Sequence, residues 1–150
     1  MIHSGVAKEV VLKRMPNRCV SPKLVECAVH GMSSGSELIV VEGDSAARSV
    51  ELIRDEHYQA VLPMQGKPIN VMKAAKGRVE KAPLFSALRA ALFEDSQTLK
   101  GLRFERIVLL FDPDADGIHC AALMLFYFYK YMPDLLESGR IHQARAPLME

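Results

Sequence analysis

Three aspartates at strict alternation, Asp112, Asp114 and Asp116, followed at once by Gly117, are the part of this 150-residue chain best equipped to do chemistry. As a bare cluster they repel one another. A hard divalent cation with oxygen ligands relieves that repulsion, which points to magnesium, with manganese as a substitute. Asp-x-Asp-x-Asp-Gly also opens a calcium loop of the EF-hand type. Here, however, the twelfth loop position is Leu123 where a bidentate glutamate is required, and the segment before the triplet reads as strand rather than helix. A solvated acidic turn is the plain alternative. The strict alternation at a strand end, with a glycine opening a helix, weighs against it.

The elements that must position these carboxylates are legible on both sides. Ile107 to Phe111 is an unbroken apolar run rich in β-branched and aromatic residues, expected as a fully buried strand of a parallel sheet with the triplet at its C-terminal end. Open α/β sheets place their ligands at that end. A second buried strand, Glu37 to Val41, ends on Glu42; Gly43 then permits a tight turn, and Asp44 or Ser45 can cap a helix running to about Arg54. In a parallel sheet both strand ends lie on one edge. If the strands are neighbours, four carboxylates meet where helix N-termini also point, an arrangement suited to phosphoryl transfer: the cation neutralises phosphate charge and a carboxylate moves a proton.

Gln59 to Met64 reads as a further strand, stopped by Pro63 to Pro68. A helix is expected through Ile69, Val71, Met72 and Ala75, broken near Gly77. Another opens at Pro83 with Leu84, Leu88 and Leu92 as its core stripe. A long helix is expected from about Ile118 to Met132, ended by Pro133, with a short turn of helix to Ser138 and a last strand over Arg140 to Ala144. The alternation gives a three-layer α/β domain with a mainly parallel sheet of about four strands. Residues 1–36, rich in turn formers, read as an irregular lead-in to a domain over 37–150.

With 49% hydrophobic and 25% charged residues the composition is that of a globular protein. The N-terminal segment is polar, and the apolar run from Cys120 to Tyr129 is too short to span a bilayer, so no membrane association and a cytoplasmic location are expected. Cys19, Cys27 and Cys120 lack zinc-site spacing and read as small core residues. The net charge of +1 conceals a basic run: Lys67, Lys73, Lys76, Arg78, Lys81 and Arg89 against Glu80 alone. Such a run is either a solvated face or, beside a metal site, a track for a phosphate backbone.

Glu42-Gly43-Asp44-Ser45-Ala46, Gly66-Lys67 with Asn70-Val71, Asp112-x-Asp114-x-Asp116-Gly117-x-His119, Met132-Pro133 and Pro147-Leu148 together resemble the Toprim domain of the DNA gyrase B subunit and related type IIA topoisomerases. The resemblance runs in order from about Pro16 to Leu148. It implies that Glu42 is the general acid/base and also a metal-site residue, with Asp112, Asp114 and Asp116 as magnesium ligands serving DNA cleavage and religation. It further implies that Lys67 lies near the DNA backbone, that His119 lies in the turn behind the metal loop, and that Gly43 and Gly117 shape the site. Arg48, Lys73, Lys76 and Lys81 are the further candidate DNA contacts.

The chain departs from the family pattern at Gln65, where a lysine is usual, at Ala47-Arg48 in place of two glycines, at Pro113 in place of a small residue, at Ala121 in place of arginine and at Met149 in place of tyrosine. Each lost cation weakens phosphate contact, and Arg48 restores one. The resemblance implies as partners DNA, a tyrosine-bearing gyrase A-like subunit, and an ATPase region on the same or another chain, with nucleoid association. Nothing in the chain matches that ATPase region or the nucleophilic tyrosine. A stand-alone metal-dependent nuclease and a diverged, non-catalytic DNA-binding module are the alternatives.

Overall fold

The computed structural model describes residues 23–94 and 98–145. Cys19, Val10 to Leu12, the lead-in before residue 23, Pro147-Leu148 and Met149 lie outside the described residues. Four strands, β1 (Glu37–Glu42), β2 (Gln59–Met64), β3 (Arg106–Leu110) and β4 (Ile141–Ala144), form one sheet in the order β2-β1-β3-β4, with every pairing parallel. β1 is central because its apolar run can be buried on both faces: Leu38, Ile39, Val40 and Val41 are all buried.

Helix α1 (Gly43–Ile53) covers one face, and α2 (Lys76–Lys81), α3 (Pro83–Leu92), α4 (Ala115–Tyr131) and α5 (Pro133–Glu137) lie on the other. The larger core packs Leu38, Val40, Leu62, Met64, Ile107 and Leu109 beneath Phe85, Leu88, Leu92, Met124, Tyr127 and Phe128. Full burial of each such side chain contributes roughly 1.5–3 kcal/mol, so this face supplies most of the apolar stabilisation. A smaller cluster, Ile39, Val41 and Val61 under Ala47 and Val50, reaches only as far as Val108.

That asymmetry corrects one expectation. The strand expected to be fully buried over Ile107 to Phe111 is Arg106–Leu110 and is not buried throughout: Ile107 and Leu109 are fully enclosed, Val108 is half-buried and Leu110 is 37% exposed, because α1 sits over β1 and β2 and leaves β3 thinly covered. Pro63 does not stop β2 but pairs with Val41 inside it, as an edge strand allows.

No helix runs from Ile69 to Ala75. The Asn70 side-chain oxygen accepts the Met72 N–H at 3.0 Å and its carbonyl accepts from Lys73 and Ala74, so this stretch is a set of turns, and α2 begins at Lys76 and contains Gly77. Neither Asp44 nor Ser45 caps α1, which starts at Gly43. The long helix begins at Ala115, earlier than Ile118, because Asp114 caps it. His119 therefore stands on the helix, not in the turn before it.

Candidate metal and nucleic-acid site at the switch point of the sheet

The chain leaves β1 toward β2 on one side and leaves β3 toward β4 on the other, so neighbouring β1 and β3 flank the point where the winding reverses. A crevice opens there at the C-terminal strand ends. Val41 pairs with Leu110 in the last rung, so Glu42 leaves β1 beside Phe111, and its Oε1 reaches one residue further to accept the Asp112 N–H at 3.3 Å. Gly43, at φ +75°, turns the chain out of β1 into α1 in a conformation other residues seldom adopt.

Gly117 has a different reason to be glycine. A Cβ there would lie 1.9 Å from the Asp112 carbonyl oxygen, so the first turn of α4 rests directly on the backbone of the carboxylate loop. Asp114 locks that turn, its Oδ1 accepting the Gly117 N–H at 2.7 Å. Asp116, in the same turn, pairs with Lys67: Nζ to Oδ1 is 2.8 Å, and His119 Nδ1 is 3.4 Å from the same ammonium. The hydrogen bond and charge of Lys67 hold the Asp116 carboxyl below its usual range, and Asp116 raises Lys67 in return.

The three aspartates thus have separate local roles: Asp112 meets Glu42 through its backbone amide, Asp114 caps the helix, and Asp116 shares the charge of Lys67 with Glu42. Among the described residues no three carboxylate, imidazole or thiol groups are arranged to hold a metal ion. The donor chemistry still fits a hard dication. Magnesium takes one or two carboxylates and keeps waters for the rest, and a carboxylate that accepts a single N–H retains lone pairs for more. Glu42, whose Oε1 accepts the Asp112 N–H, and the exposed carboxylate of Asp112 are the candidate donors.

Sequence reasoning passed over Asp44's partners. Asp44 is held by Lys23 at 3.2 Å and by Gln65 Nε2 at 3.2 Å, and these contacts, Lys23 first, keep its carboxyl below the usual range. Lys23 lies in the lead-in and carried no signal in the sequence. Gln65, where the family pattern has lysine, therefore braces a carboxylate with an amide. Cys120 lies buried beside the site; burial first, then the negative charge of Glu42, raises its thiol.

The basic run divides. A cleft of about 270 Å³ lined by Lys23, Gln65 and Lys67 shares Ile69, Ala82 and Pro83 with a second of about 590 Å³ lined by Arg78 and Lys81. The two make one groove over the N-terminal end of α3, and among the described residues its lining has four cations and no carboxylate. Lys76 lies elsewhere, on a cleft with Glu80 and Arg89. Lys73 is exposed in the turns before α2, and Arg48 is exposed on α1, close enough to Asp44 to act on its charge. Of the tyrosines, Tyr127 is fully buried, Tyr131 half-buried, Tyr58 41% exposed and Tyr129 66% exposed. Among the described residues no helix is long and apolar enough to cross a membrane.

Comparison with known proteins agrees with this architecture. The chain is 43% identical over 148 residues to the B subunit of the type 2 topoisomerase of Aquifex aeolicus, a match covering 95% of this chain and 18% of that protein. It is 40% identical to the DNA gyrase B subunit of Archaeoglobus fulgidus over 132 residues, covering 85% of this chain and 21% of that one. It is also 40% identical to the B subunit of DNA topoisomerase 4 of Caulobacter vibrioides over 129 residues, covering 84% of this chain and 18% of that one. The chain thus spans about a fifth of the length of these relatives. The Toprim domain profile matches residues 37–146, from the first residue of β1 to just beyond β4, and the chain belongs to the Toprim domain family.

Proposed function

We propose that this domain is the carboxylate half of a DNA cleavage and religation site of the type IIA topoisomerase kind, acting with a tyrosine supplied by another subunit. The observation that supports this reading is the bond of the Glu42 carboxylate to the Asp112 backbone amide across the switch point, with the cationic groove reaching Asp116 of the same loop through Lys67. Glu42 and Asp112 would hold magnesium or manganese, with Asp114 and Asp116 as further oxygen donors. When bound, the ion supplies charge neutralisation at the phosphate and the leaving oxygen.

The chain's own residues do the remaining work. Glu42, at the end of a rigid central strand, moves the proton to and from the sugar oxygen. Lys67, Arg78 and Lys81 hold the backbone along the groove, giving affinity without base readout. Tyr127 is sealed in the core and its phenol is pushed up by burial, with Arg89 pulling back in part, so it cannot serve as the nucleophile.

The reading is tested with supercoiled DNA and magnesium, incubated first with the domain alone and then with a full-length B subunit carrying this domain together with a gyrase A-like partner. Cleavage with a covalent link to the partner's tyrosine, abolished by Glu42→Ala or Asp112→Ala in this domain, is the expected result. A covalent link to any tyrosine of this chain overturns it. Nicking by the isolated domain without a covalent link, lost in both variants, replaces it with a nuclease in which water attacks.

A further inference from the structure

At the other end of α4 from the carboxylates, Lys76, Glu80, Arg89, Tyr127, Tyr131 and Met132 line a polar cleft of about 430 Å³. The helix is 17 residues long, about 25 Å from end to end, so this cleft is separate from the metal loop. One wall is aromatic: Tyr127 stacks on Phe85 with centroids 4.0 Å apart and planes within 6° of parallel, and the Tyr131 ring lies 5.4 Å from that of Tyr127.

Arg89 is fixed in place. Its Nη1 donates to Tyr127 Oη at 3.1 Å and its Nη2 to the Glu80 carbonyl at 3.1 Å, which sets the plane of the guanidinium and leaves further N–H donors for a ligand. Tyr131 Oη is buried and has no hydrogen-bond partner among the described residues, a state that a native structure rarely leaves unexplained. Lys76 brings a second cation and is only loosely matched by Glu80, 3.8 Å away with both side chains well exposed.

We propose that this cleft binds a phosphate group, with Arg89 and Lys76 neutralising its charge and Tyr131 donating its hydroxyl to one of its oxygens. A tetrahedral phosphate spreads its oxygens in three dimensions and can accept from donors on several sides of a cleft, whereas the lone pairs of a carboxylate lie in one plane. The phosphate comes either from a small phosphorylated molecule or from a nucleic-acid backbone. The inference is independent of the function proposed for the carboxylates.

The test is titration of the whole chain with inorganic phosphate at constant ionic strength, followed by the NMR shift of the Arg89 side-chain N–H and the Tyr131 amide. A saturable shift is expected, weakened roughly tenfold in Tyr131→Phe, the worth of one hydrogen bond to a charged group. Tyr131→Phe removes only an unpartnered hydroxyl, so the fold survives it, and Lys100→Ala, exposed and outside the cleft, leaves the shift unchanged. No saturable shift up to tens of millimolar phosphate, equal affinity in Tyr131→Phe, or equal loss in Lys100→Ala overturns the proposal. A short DNA duplex added at saturation then identifies the source: displacement of the phosphate assigns the site to a backbone, and no displacement assigns it to a small molecule.

Discussion

Lys67 Nζ lies 2.8 Å from Asp116 Oδ1, joining the loop after β2 to the first turn of α4. Both side chains are half or more exposed, so the pair adds little to stability. Its importance is that one ammonium serves two claimants: the carboxylates, for which it stands in as a cation, and any phosphate that enters the groove.

Replacing Lys67 by Met therefore has opposite effects on the two ligands. Manganese binding tightens, roughly two- to fivefold, because Asp116 loses a competitor, and DNA binding weakens with a flatter salt dependence. The Asp116 carboxyl, held down by Lys67, moves back up toward its ordinary range. Calorimetric metal titration and a salt series of DNA binding read both effects, and a change of the same sign in both would reject the competition.

Asp114 is a helix cap as well as a candidate ligand, and two substitutions separate these roles. Asp114→Ala without metal costs about 1 kcal/mol, the usual worth of a cap, and lowers the melting midpoint by a few degrees. Asp114→Asn keeps the cap and melts near the wild-type temperature, yet gains less from millimolar magnesium. If Asp114→Ala raises the midpoint in the absence of metal, repulsion among the carboxylates outweighs the cap.

Gly117→Ala places a methyl group against the Asp112 backbone, the closest approach of any glycine in the described residues. The rigid partner is main chain, so α4 or the loop must shift. A loss of about 2–3 kcal/mol in urea unfolding, together with loss of the magnesium response, is expected. Gly77→Ala, inside α2 where an added methyl group meets nothing within 4 Å, is the matched control: it raises urea stability by up to about 1 kcal/mol and leaves the magnesium response unchanged.

Acid sensitivity is set away from the groove's cations, at Glu26. Burial works to raise its carboxyl, but the hydrogen bonds from His30 and Arg103 and the charge of Arg103 outweigh burial and hold it at about 2 against an ordinary 4.5. The unfolded chain takes up the proton first, so the contribution is complete above about 4.5 and is lost as pH falls toward 2. Urea midpoints of wild type fall through that window, and those of Glu26→Gln, lower at neutral pH, fall less. Parallel curves would show that Glu26 is not the responsible group.

The strands were legible because unbroken apolar runs have few other uses in a chain of this size; Glu37–Glu42 and Gln59–Met64 lie where composition put them. The placement of the triplet and of Glu42 at the C-terminal ends of neighbouring strands β3 and β1 followed from the apolar runs that precede them. The stretch from Ile69 to Ala75 misled because its apolar spacing is helical, while the competing bond from the Asn70 side chain to the Met72 amide is invisible to periodicity.

By itself, then, the sequence determined which residues line up at the ends of strands and which runs are core, since both follow from residue type and near neighbours. Only the tertiary structure decided that β1 and β3 are adjacent, that Asp114 caps while Asp116 pairs with Lys67, and that Lys23 and Arg78 share a groove with Lys67 and Lys81. Those pairings join residues up to tens of positions apart. Which of several partners a charge or an amide finds depends on the packing of the whole sheet and its helices, and no local pattern encodes it.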